Sequence, residues 1–116
     1  MTITSEFFLY QPRIIYNKHN DSGESYMTSK WTVLVTNEFK KDFKNLPSEE
    51  LKKLVLDRIE ELSRNPYLGV KLYGLPYFRD RVGDYRLIYK IDCKNKIVIL
   101  VFIQHRKHVY KKLHRS

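Results

Sequence analysis

The apolar residues of this chain change their spacing once, near residue 70, and that change limits the folds open to it. Before it they recur at helical intervals; after it they alternate or run together, as in strands. Phe39, Phe43 and Leu46 fall at i, i+4 and i+7, with Asn37 placed to cap the helix and Pro47 to stop it. Ser48 is placed to cap a second helix, Glu49 and Glu50 sit at the positive end of its dipole, and Leu51, Leu54, Val55, Ile59 and Leu62 form one apolar stripe. Asn65-Pro66 ends the stripe. Together these make a helical hairpin with one face to bury.

Upstream, residues 31–35 read as a strand. Downstream, Phe78, Asp80 and Val82 alternate with Arg79 and Arg81, and Tyr85, Leu87, Tyr89 and Ile91 alternate with Arg86, Ile88 and Lys90. Gly83-Asp84 suits a two-residue hairpin loop, residues 92–96 make a second reversal, and residues 97–103 are apolar on both faces, as a covered central strand should be. The expected class is α+β: an N-terminal strand, the helical hairpin, then a three-stranded antiparallel meander, with the helices on one sheet face and a short C-terminal helix from Lys107. With 116 residues there is room for one domain, placed at 30–116. Residues 1–29 show no sustained period and include the linker-like stretch 17–25, so a poorly ordered extension is expected there. A chain begun at Met27 should then fold and act like the full one, and unfolding on truncation would refute this.

Charge is distributed unevenly. Residues 1–70 hold ten Lys/Arg and ten Asp/Glu, whereas residues 71–116 hold twelve and three, so the whole net charge of +9 lies in the second segment. That is the footprint of a surface for nucleic acid or an acidic partner. The longest apolar run, residues 97–103, is far below the roughly 20 residues needed to span a bilayer. No leader pattern opens the chain and Cys93 has no partner, so a reducing cytoplasm and no membrane are expected.

Register concentrates this charge. With Gly83-Asp84 as the loop, Val82 pairs with Tyr85 and Arg81 with Arg86, and directly opposed residues share a face. Two facing guanidiniums destabilise a sheet by some tenths of a kcal/mol unless an anion lies between them, and arginine's planar fork suits phosphate. Continuing the ladder without interruption pairs Leu87 with Phe102 and Arg86 with Ile103. This places His105 on the Arg86 face, with Arg79 further along; a one-residue slip would flip it. Each residue also has a plainer reading: Arg79 and Arg81 as the solvated side of an edge strand, Arg86 as an ion-pair partner of Asp84, His105 as a strand end, and Tyr110 as an apolar anchor with Val109 and Leu113. Tyr85 and Tyr89 are assigned to the core. His105 and His108 lack companions at metal-ligand spacing, and neither a glycine-rich phosphate loop nor a framed Ser or Cys nucleophile is present, so no metal and no cofactor are expected.

At these residues the chain resembles the RelE branch of the RelE/ParE toxin superfamily. Lys71-Leu72-Tyr73-Gly74, the block from Arg79 to Tyr89, and His105-Arg106 with Tyr110 match the recurring patterns K-L-x-G, R-x-R-x-G-x-Y-R-x-x-Y and H-R-x-x-x-Y in order and spacing, over residues 30–113. The resemblance implies a type II toxin that cleaves mRNA in the ribosomal A site by metal-free transesterification and is neutralised by a cognate acidic antitoxin. Catalytic roles would fall to Arg86, His105 and Tyr110, and RNA backbone contacts to Arg79, Arg81, Arg106 and Lys107. It leaves a homo-oligomer or a toxin–antitoxin heterotetramer open. A ParE-like toxin that inhibits DNA gyrase, and a non-catalytic RNA-binding subunit, are the alternatives.

Overall fold

The structure, a computed structural model, describes residues 7–10 and 30–115. A mixed six-stranded sheet has the order β1-β2-β6-β5-β4-β3, built from Phe7–Tyr10 (β1), Thr32–Thr36 (β2), Val70–Lys71 (β3), Phe78–Val82 (β4), Tyr85–Asp92 (β5) and Ile97–His105 (β6). The helices are α1 (Asn37–Lys44), α2 (Glu49–Arg64) and α3 (Val109–Arg115), with a 3₁₀ turn at Pro66–Leu68. The α+β expectation holds, with the hairpin α1–α2 on one face and α3 on the other. Three pairings extend it: β2 runs parallel to β6, β1 adds antiparallel to β2, and β3 adds antiparallel to β4. The expected disorder of 1–29 lies outside the described residues except at β1, where Phe7–Tyr10 form an edge strand.

The caps explain the helix starts. Thr36, not Asn37, caps α1, its hydroxyl accepting from Phe39 N at 3.0 Å, and Ser48 caps α2 by accepting from Leu51 N at 3.1 Å. Along α2, Val55, Ile59 and Leu62 are buried as expected, but Leu54 is 52% exposed and Glu60 is buried. The reason lies in residues 30–31, which cross one flank of α2: Trp31 N donates to Ser63 O and Lys30 reaches Glu60. The opposite flank, bearing Leu54, stays open. The main core joins these side chains and Phe39 to Val33, Val35, Val82, Leu87, Tyr89, Val98, Leu100 and Ile103. Ile88, Phe102, Val109 and Leu113 form the second core beneath α3. The sheet between them is thus covered on both faces.

Strand β6 is irregular at one point, and that point moves a predicted site residue. The hairpin loop is residues 93–96, and Asp92 pairs with Ile97 and Tyr89 with Leu100, as an uninterrupted ladder requires. Ile88 then pairs with Phe102, so Val101 is the extra residue of a β-bulge. Beyond it Leu87 meets Ile103, Arg86 meets Gln104 and Tyr85 meets His105, one residue away from the expected register. The bulge lies where β2 ends and α1 takes over alongside β6: Thr36 Oγ1 donates to Val101 O at 2.7 Å, and Asp42 Oδ2 accepts from Ile103 N at 3.2 Å. Side chains of the β2–α1 junction therefore satisfy backbone that β2 no longer pairs.

Tyr89 fixes the sheet to the 3₁₀ turn. Its fully buried hydroxyl donates to Pro66 O at 2.7 Å and accepts from Gly69 N at 3.1 Å. Burial pushes the phenol up to about 12, against the hydrogen bond from Gly69. A phenol whose folded pKa exceeds the unfolded value contributes stability that is intact below about pH 10 and lost as pH rises toward 12, by about 2–3 kcal/mol. Denaturant midpoints measured between pH 9 and 12 should show this loss, and Tyr89→Phe should remove it; equal slopes in both proteins would rule the assignment out. Gly69 is the other half of the contact. A Cβ there would stand 2.5 Å from Tyr89 Oη and 2.7 Å from Arg79 O, so Gly69→Ala should cost roughly 1–3 kcal/mol as an overpacked site, read as a lowered melting temperature.

Candidate phosphate site

The turn between β4 and β5 sets the site. Gly83 takes a φ of +60°, which a two-residue loop needs and a side chain resists. Val82 pairs with Tyr85 and Arg81 with Arg86, as expected, so the guanidiniums of Arg81 and Arg86 share the α3 face of the sheet. Arg79, two residues before Arg81, shares it. Val109 and Leu113 seat α3 over Ile88 and Phe102. That docking brings Tyr110 to the arginines, where Arg79 Nη1 donates to Tyr110 Oη at 2.5 Å.

Arg79, Arg81, Arg86, Arg106, Lys107 and Tyr110 line one open cavity of about 440 Å³. Five cations and no acid form its wall. Arg86 Nη1 donates to Gly83 O and Tyr85 O, each at 3.0 Å, which holds the guanidinium by its own turn and leaves its other nitrogens free for a ligand. Asp84 is not its partner: that carboxylate lies 3.6 Å from Arg106 Nε, and Arg106 N donates to Asp84 O at 2.8 Å. The Arg81 guanidinium has no hydrogen-bond or ion-pair partner among the described residues, and Arg79 Nε is buried without one. Arg81 and Arg86 face each other with no acid between them, a repulsion that costs some stability, and arginine's planar fork is suited to bidentate contact with an anion such as phosphate.

Behind this face, Asp80 anchors β4 to α2. Its Oδ2 accepts from Arg58 Nε at 2.5 Å and its Oδ1 from Arg58 Nη2 at 3.0 Å, with Asp80 5% exposed. Asp80 raises the pKa of Arg58 chiefly through these hydrogen bonds. The strand carrying Arg79 and Arg81 is thereby held from the far side.

Six of the seven residues expected at the site come together; His105 does not. The bulge at Val101 pairs it with Tyr85, whose ring it meets edge-on at 5.3 Å on the helical-hairpin face. Its Nδ1 accepts from Lys107 N at 3.1 Å, which makes it a shaping element of the turn into α3. No cavity-lining residue escaped the sequence reading. What escaped it was the bulge, and a strand apolar on both faces carries no alternation from which to find one.

Comparisons with known proteins agree with this architecture. The family model of the ParE toxin of the type II toxin–antitoxin system parDE matches residues 33–110. Toxin RelG of Mycobacterium tuberculosis is 32% identical over 87 residues, which cover 71% of this chain and 98% of RelG. Among solved structures, the toxin–antitoxin complex RelBE2 of the same organism holds a chain 30% identical, with a TM-score of 0.56, covering 66% of this chain and 99% of that one. A chain of the archaeal RelE–RelB complex from Pyrococcus horikoshii is 25% identical, with a TM-score of 0.56, over 62% and 90%. The isolated Escherichia coli RelE toxin, 17% identical with a TM-score of 0.59 over 73% and 96%, shares the fold.

Proposed function

This chain belongs to the ParE toxin family of type II toxin–antitoxin systems, within the RelE/ParE superfamily, and from that premise we propose that it is a ribosome-dependent mRNA endonuclease acting in the cytoplasm. One observation carries the reading: four arginines, a lysine and a tyrosine converge on a single open cavity with no acid in its lining. An RNA 2′-oxygen attacks the neighbouring phosphorus, the bond to the 5′-oxygen breaks, and a 2′,3′-cyclic phosphate and a 5′-OH end result. The 2′ proton passes to a base and the departing oxygen takes one from an acid. Arg86 and Arg81 stabilise the crowded phosphorane, while Arg79 and Arg106 hold the backbone. Lys107 and Tyr110 are the lining side chains able to exchange a proton, since guanidinium does not. The reaction so drawn needs no metal.

The partner is a cognate antitoxin, as in the RelE–RelB complexes to which this chain is similar. An acidic segment suits the basic surface, with charge acting chiefly on the association rate. Mapping 5′-OH ends on messages from translating ribosomes tests the nuclease reading: new ends within the A-site codon are expected, and their absence with an active, folded protein would overturn it. The match to the ParE model favours a second reading, a toxin that binds DNA gyrase. Inhibition of purified gyrase without message cleavage would decide for it.

A further inference from the structure

Beside the same sheet end, where α1 flanks β6 and the chain turns into α3, lies a second cavity, of about 250 Å³, whose wall includes Asp42, Asn45, Tyr85, Gln104, His105 and His108. We propose that it receives one base of the single-stranded RNA whose phosphate lies among the arginines, a proposal that rests on the RNA reading above. Its size falls below the roughly 300–1,000 Å³ of sites for drug-sized ligands and suits one planar ring. Three rings offer π surface: Tyr85 and His105 stand 5.3 Å apart at 79°, and His105 and His108 6.2 Å apart at 56°. Unstacked RNA bases are held on such side chains.

The polar wall reads a base edge. The Asn45 side-chain amide has no partner among the described residues, and Gln104, whose Nε2 donates to Asp42 Oδ2 at 3.0 Å, keeps its carbonyl oxygen for a donor. Asp42 Oδ2 accepts from Ile103 N and Gln104 Nε2 and lies 3.8 Å from Lys112 Nζ, so Oδ1 remains an acceptor. A carboxylate in the wall disfavours a phosphate or an acidic peptide side chain and accepts readily from an exocyclic amine. This excludes the occupant that the arginine cavity attracts.

Continuity joins the two cavities. Tyr85 precedes Arg86 in β5, and alternation sends these neighbours to opposite faces, while Arg106 follows His105 at the start of the turn into α3. The Gly83-Asp84 turn closes this end of β4 and β5, with open space around Gly83. A strand leaving the arginines would pass this turn, where the exposed Asp84 carboxylate lies 3.6 Å from Arg106, to reach the rings.

The test uses the full chain and a short RNA made uncleavable by 2′-O-methylation, carrying 2-aminopurine beside the blocked position, whose fluorescence falls when the base stacks. Wild type should quench it on binding, and His108→Ala and Asn45→Ala, both surface changes, should weaken quenching and affinity by about 5- to 150-fold when combined. Arg86→Ala should weaken binding and reduce the salt dependence by about one counterion, yet quench at saturation. No binding, binding without quenching, or quenching untouched by the cavity variants would each overturn the proposal. So would variants that lose antitoxin while still quenching, because the cavity would then take a protein side chain. Since this RNA cannot be cut, a chain that quenches but leaves no 5′-OH ends on ribosomes would refute the nuclease reading and retain the base site.

Discussion

Replacing Arg86 with Ala is expected to abolish growth arrest and slow message cleavage by about 10²–10³-fold, the usual cost of deleting one preorganised charge stabiliser. Stability should hardly change. The Arg86 guanidinium bonds only to carbonyl oxygens of its own turn, at Gly83 and Tyr85, and its removal relieves the repulsion from Arg81 directly opposite. Its effect on stability should stay within about 0.5 kcal/mol, as for surface positions generally. Lysine restores the charge but not the planar fork, so Arg86→Lys should recover only part of the rate. Single-turnover cleavage on programmed ribosomes, with thermal melting alongside, separates these outcomes. Full toxicity in a folded Arg86→Ala protein would remove Arg86 from the mechanism.

The largest stability effect should come from the far side of the same strand. Arg58→Ala strips the buried Asp80 carboxylate of both its guanidinium contacts and leaves it only the Arg81 backbone N–H at 3.0 Å. Breaking a buried pair in this way costs roughly 3–5 kcal/mol; about 2–4 is expected here, because the Arg58 side chain is one-third exposed. At this chain length each kcal/mol lowers the melting temperature by about 4 °C. Asp80→Ala should cost less, since Arg58 keeps Glu61 at 2.6 Å and its access to water. The double variant should lose less than the sum, and strict additivity would show that the pair contributes nothing as a pair.

Most of the fold could be read in the residues, because each element satisfies two rules at once. Ser48 caps and Asn65-Pro66 stops the helix whose stripe lies between them, and Gly83 fixes a loop that also fixes Arg81 opposite Arg86. The cavity followed from that register, and six of its expected residues line it. Three features were not legible. Thr36 displaced Asn37 as the cap because its hydroxyl faces Phe39 N, a choice two adjacent capping residues do not reveal. Leu54 and Glu60 exchanged environments because a distant segment, residues 30–31, crosses α2. His105 changed face because β6, apolar on both sides, can absorb an extra residue without exposing anything that water would reject.

Val101 serves β6 as an expansion joint. Ahead of it, Val98 and Leu100 point to the helical hairpin; after it the parity reverses, and Ile103 and His105 point there instead. Removing that single residue would leave Ile88 with Phe102, Arg86 with Gln104 and Tyr85 with His105 still matched. The half of the sheet that builds the core can thus lengthen or shorten by one residue while the half that bears the chemistry keeps its facing. Drift in the loop at residues 93–96 need not reach the arginines.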